Sequence, residues 1–115
     1  QYIKNIILEI KNASLSIDDK LKPESFTLRS NYPNPFNPTT NIAYDLSKNS
    51  FVNISIFDID GKKVRTLLNR FQSEGYNTII WNGKNDSNVR VAAGMYLYTL
   101  LVEDMIQTRK MVMLK

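Results

Sequence analysis

The chain has 115 residues, 43% hydrophobic and 23% charged, a balance that fits one globular domain and excludes wholesale disorder. It contains no cysteine and no histidine, which excludes disulfides, thiolate nucleophiles, histidine metal sites and the Ser-His-Asp triad. The net charge of +4 is spread over 15 basic and 11 acidic residues, and basic runs stop at pairs such as Lys62-Lys63, so a nucleic-acid surface is not indicated.

The first seventeen residues, QYIKNIILEIKNASLSI, are ambiguous. Ile3, Ile6, Ile7 and Ile10 fit a helix, whereas Ile6, Leu8 and Ile10 fit a strand, and no turn signal decides between them. The charged stretch Asp18 to Glu24, with Pro23 near its end, reads as a linker, so residues 1–22 are expected to be an upstream appendage and 23–115 the domain. The absence of an initiator methionine and of a signal-peptide pattern reads as a piece of a longer protein.

From Phe26 onward, short alternating runs are separated by turn residues. Ile42, Tyr44 and Leu46 mark one predicted strand, and Val52, Ile54 and Ile56 the next. Asp60-Gly61 predicts a hairpin into a strand over Lys63 to Leu68. A loop is expected over Asn69 to Gly75, a strand over Tyr76 to Trp81, and a turn-rich stretch over Asn82 to Arg90. Met95 to Val102 reads as a central strand, Glu103-Asp104 as a turn, and Gln107 to Lys115 as the last strand, with Val112 taken on its buried side. The fold expected is an all-β, immunoglobulin-like antiparallel sandwich of about seven strands, with Trp81 anchoring the core and scattered Lys and Arg guarding its edges. No apolar run approaches the ~18 residues of a membrane helix.

The most unusual stretch is Asn31 to Thr40, where Pro33, Pro35 and Pro38 remove backbone donors and stiffen the chain. It reads either as a crossover between the two sheets or as a rigid surface presenting Tyr32 and Phe36 to a partner. Asn34 and Asn37 are placed to hydrogen-bond nearby backbone. Asp58-x-Asp60-Gly61 resembles the opening of a calcium loop but lacks the later glutamate, and Asn82 to Asn88 offers a single carboxylate, so both read as plain turns. Asn12 and Asn53 match glycosylation sequons. A sugar platform of Tyr32, Phe36, Tyr96 and Tyr98 is conceivable, although the last two more simply fill a core. No residues are assigned to catalysis, a cofactor or a metal.

Tyr32-Pro-Asn-Pro-Phe-Asn-Pro-Thr-Thr40 resembles the opening motif of the type A C-terminal sorting domains of the type IX (Por) secretion system. The strands of Ile42–Leu46 and Val52–Val64, then Trp81-x-Gly83-x-x-Asp86, Ala93-Gly94-Met95-Tyr96-x-Tyr98 and Lys110-Met-Val-Met-Leu-Lys115, match the rest in order and spacing. The likeness covers Phe26 to Lys115 and departs at Asn88, where the family commonly has glycine. The immunoglobulin-like domain of flagellar hook-capping proteins shares the Trp-x-Gly and Gly-x-Tyr features but not the proline motif.

The resemblance implies a non-enzymatic sorting signal that takes its parent protein across the outer membrane to the surface or the medium. It implies a translocon, an outer-membrane shuttle barrel and a sortase as partners, and an upstream cargo; the cut needs accessible backbone upstream of the sandwich and is expected within Ser16 to Pro23. The residues it offers for recognition are Tyr32, Pro33, Asn34, Pro35, Phe36, Gly94, Tyr96, Lys110 and Lys115. The alternatives are an accessory carbohydrate- or surface-binding module and a structural spacer.

Overall fold

The computed structural model describes residues 22–115; residues 1–21, all but the last residue of the expected appendage, with the Asn12 sequon and most of the expected cleavage region, lie outside them. Seven strands follow in order: β1 (Thr27–Leu28), β2 (Thr40–Leu46), β3 (Ser50–Asp58), β4 (Lys63–Gln72), β5 (Gly75–Trp81), β6 (Gly94–Val102) and β7 (Met105–Met113). They form two antiparallel sheets, β1-β2-β5 and β4-β3-β6-β7. The expected sandwich is the one observed.

Period-two alternation sends Ile42, Tyr44 and Leu46 of β2 and Val52, Ile54 and Ile56 of β3 into the space between the sheets. Tyr98, Leu100 and Val102 join them from β6, and Met111 and Met113 from β7. Trp81 closes one end of this core, fully buried, with ring centroids 5.7 Å from Phe36 and 5.3 Å from Tyr96. Its Nε1 donates to the Lys84 carbonyl at 2.9 Å, which satisfies the one polar atom that burial strands.

The turns follow their local chemistry. Asp58 Oδ1 accepts the N–H groups of Asp60 and Lys62, and Gly61 takes the φ of 87° that the tight reversal requires. Asn85 Oδ1 likewise accepts from Ser87 and Val89. Asn88 stands at φ 63°, so the residue that departs from the family pattern keeps the left-handed backbone of a glycine.

Two expectations need correction. The loop expected over Asn69 to Gly75 shrinks to Ser73-Glu74, because β4 continues to Gln72 and pairs Phe71 with Phe51. That strand end escapes sequence reading because its outer face is solvated and the apolar alternation lapses. The last strand begins at Met105 and ends at Met113, and its pleat turns Met111 and Met113 inward, so Val112 lies half-exposed on the outer face.

Candidate functional site

The proline-rich segment leaves β1 and returns to β2 in the same sheet, so it is not a crossover. Between them it makes an excursion to the free edge of β7 in the other sheet. Asn31 starts it: its N–H donates to the Tyr98 phenol at 2.9 Å, and its Nδ2 donates to Thr40 Oγ1 at 3.0 Å. Tyr98 in turn donates to the Arg29 carbonyl at 2.7 Å. Burial pushes the Tyr98 phenol above its usual pKa, against the Asn31 N–H and the nearby Arg109 cation, which lower it.

Four contacts then clasp the end of β7. Asn34 Oδ1 accepts the Val112 N–H at 3.1 Å. The Phe36 N–H donates to the Val112 carbonyl at 3.0 Å, and the Phe36 carbonyl accepts from Leu114 at 2.8 Å. Asn37 Nδ2 donates to the Lys115 carbonyl at 3.1 Å. Phe36 thereby sits in parallel register with Met113, which β6 pairs on its other side through Gly94. Residues far apart in sequence — Phe36, Gly94 and Met113 — lie side by side on three neighbouring extended segments.

The candidates from sequence divide accordingly. Tyr32 is 78% exposed and Phe36 is 1% exposed, so Phe36 is not presented to a partner; its ring fills the gap beside Trp81. Tyr96 is also buried, its hydroxyl donating to the Ala92 carbonyl, and its phenol is pushed upward by burial. The sugar platform dissolves for the same reason, since three of its four rings are in the core. Pro33, Asn34, Pro35, Gly94, Lys110 and Lys115 are exposed. Asn34 and Lys110 line one open groove of about 530 Å³, together with Ser30, Thr108 and Arg109. Among the described residues, neither lysine nor Arg109 has a carboxylate within 4.0 Å.

Sequence reading missed two residues here. Arg109 Nε donates to the Leu28 carbonyl at 2.6 Å, and Gln107 holds the Leu28 and Phe26 backbone. It also gave Asn34 and Asn37 local partners, whereas the real ones lie 78 residues away. No short-range pattern signals a bond of that span.

A family model described as the secretion system C-terminal sorting domain matches residues 30–114. Among solved structures, the dimeric latent PorU of Porphyromonas gingivalis is similar, with TM-score 0.62 and 21% identity over 77% of this chain and 9% of that one. PorZ of the same organism, a surface component of its type IX secretion system, has TM-score 0.51 and 21% identity over 75% and 11%. The hook-capping FlgD of Xanthomonas campestris has TM-score 0.52 and 22% identity over 79% and 63%. At these identities the three establish the fold, and the chain spans only about a tenth of the first two. No curated protein matches the sequence.

Proposed function

The chain belongs to the secretion system C-terminal sorting domain family, and from that premise we propose that the clasped end of β7 is the surface the type IX machinery reads. The domain is a sorting signal, and the family implies export to the outer membrane or cell surface. Our reading adds a translocon and shuttle barrel that contact Asn34, Pro35, Lys110 and Lys115, and a sortase that cuts upstream of the sandwich. It adds a cargo carried on the N-terminal side and no catalytic role for the domain itself.

One observation carries the proposal: the proline motif and the lysine-ended segment form a single structure around Met113. A fold alone has no need of two exposed lysines there, since exposed charge contributes only ~0–1 kcal/mol. A partner that reads charge does need them. Converting Lys110 and Lys115 together to glutamine should leave thermal unfolding within a few degrees, as surface changes of about ±0.5 kcal/mol do. The same variant, fused behind a reporter in a host with type IX machinery, should accumulate in the periplasm. Normal secretion would remove charge readout from the proposal.

A further inference from the structure

Three of the four sheet edges carry a cover and one does not. Gln107 and Arg109 close β1, Asp86 meets β4, and Phe36 docks on β7. β5 has β2 as its single hydrogen-bonded neighbour. On β2, Ala43 accepts the Arg29 N–H and Asn41 exchanges both backbone bonds with Tyr32, so these residues face the β1 side. Antiparallel pairing alternates, so Ile42 and Tyr44 face the other way and bond Ile79 and Asn77 of β5. The N–H and carbonyl groups of Tyr76, Thr78 and Ile80 therefore point away from the sheet, and among the described residues they have no hydrogen-bond partner. Edge strands are ordinarily blunted by a charge, a proline or a bulge. Gly75–Trp81 has none of these: its seven residues are uncharged and pair with β2 without a register shift. Tyr76, 56% exposed, and Ile80, 59% exposed, stand beside the open groups.

We propose that a second copy of this chain occupies this edge, β5 against β5, antiparallel about a two-fold axis at Thr78. The strand is self-complementary in that register. Thr78 faces the second copy's Thr78, and Tyr76 faces the second copy's Ile80 in both directions. Every open N–H and carbonyl of the two edges is then joined, in three hydrogen-bonded pairs, whereas any other antiparallel register leaves some of them open. The side chains of these residues are exposed together on the outer face. There, aromatic against β-branched and Thr against Thr are among the favourable cross-strand pairs. No like charges meet along the ladder, because β5 carries none. The pairing fuses two three-stranded sheets into one of six, in the order β1-β2-β5-β5-β2-β1. It uses up the open edge on both copies, so assembly stops at the dimer. This inference stands independently of the sorting role.

Sedimentation and amide exchange on the chain of residues 1–115 test it. The mass should rise with concentration from 13.3 kDa toward twice that value. The Thr78 and Ile80 amides should gain protection in step, exchanging at least about tenfold slower in the dimer than in the dilute chain. Thr78 is exposed, so Thr78→Lys and Thr78→Glu should both stay folded. Each sets like charges opposite one another at the axis and should remain monomeric where the unaltered chain pairs. An equal mixture of the two variants should recover the dimer. A chain that stays monomeric at millimolar concentration would overturn the proposal. So would protection of the Thr78 amide that ignores concentration, which would mean cover from within one chain. A dimer that survives Thr78→Lys but is lost in Phe71→Ser would place the contact on the outer face of the other sheet instead. Variants that fail to pair when mixed would exclude the two-fold at Thr78.

Discussion

Gln107 holds Leu28 as a neighbouring strand would. Its Oε1 accepts the Leu28 N–H at 2.7 Å while its Nε2 donates to the Phe26 carbonyl at 2.8 Å. A side-chain amide carries a donor and an acceptor on one plane, as a peptide unit does, so it extends the edge of β1 without a further strand. Arg109 continues the line at the Leu28 carbonyl. Two further edges are covered by comparable means: the Asp86 N–H and carboxylate meet β4 at Val64 and Thr66, and Phe36 meets β7 at Val112. Edge protection here rests on hydrogen-bonded covers at least as much as on scattered charge.

Replacing Gln107 with leucine keeps its bulk and removes both bonds. Two partly buried backbone groups would then lack partners, at about 1–3 kcal/mol. Thermal unfolding should fall by several degrees, and a midpoint unchanged within error would show that water serves those groups equally well.

Asn34→Ala tests the clasp. Its bond to Val112 is exposed, so the stability loss should be small, roughly 0.5–1.5 kcal/mol. Exchange of the Val112 amide should nevertheless accelerate clearly, while that of Tyr98, deep in β6, should change only with global stability.

The pleat of β7 predicts opposite fates for neighbouring residues. Met111 is fully buried, so Met111→Asp places an unpaired charge in the core and should abolish cooperative unfolding. Val112 faces outward and is half-exposed, so Val112→Asp should remain folded. Circular dichroism melts of the two variants decide it.

Gly83 is the most closely packed of the four glycines. It has φ +76°, and a Cβ there would lie 3.0 Å from the Pro38 carbonyl oxygen and 3.3 Å from Met113 Cε. Gly83→Ala should cost ~1–3 kcal/mol, through both strain and a displaced proline segment. Asn88→Gly, at φ 63° in the same loop, should be close to neutral in the same melting assay.

Alkaline stability should be limited by three buried phenols. Burial raises the pKa of Tyr44, Tyr96 and Tyr98 above the ordinary 10.0. The unfolded chain therefore releases these protons first, so their contribution is complete below pH 10 and is lost as pH rises through the folded-state values. A urea midpoint followed from pH 8 upward should stay level and then fall beyond about pH 10. Tyr98→Phe should flatten part of that fall while lowering stability at neutral pH, because the Asn31 N–H and Arg29 carbonyl lose their partner.

The strands with a clean inward row were legible in the sequence, among them Ile42–Leu46 and Val52–Ile56. So were turns whose chemistry is local, such as Asp58–Gly61 and Glu103-Asp104. What escaped was decided by distant partners. Phe36 looked like an exposed aromatic in a proline loop, and only the arrival of Trp81 and Val112 makes it a core residue. The end of β4 escaped because Phe71 faces solvent and finds its aromatic partner across the ladder. The role of Val112 turned on a one-residue choice of register, which sequence specifies weakly where both faces mix polar and apolar residues, as Gln107, Arg109 and Met111 do on one side of β7 and Ile106, Lys110 and Val112 on the other.

The contacts that finish this domain join residues 78 to 81 positions apart. Until residues 107–114 have been synthesised, Leu28 lacks its cover, Phe36 has no Val112 to dock on, and β6 is an open edge. Folding must therefore wait for the whole strand, and long-range pairing of this kind is slow. A truncated chain would expose an apolar strand rather than the clasp. The surface that we propose the export machinery reads thus forms only on a chain translated through β7, and under that proposal sorting would double as a check that synthesis has reached that point.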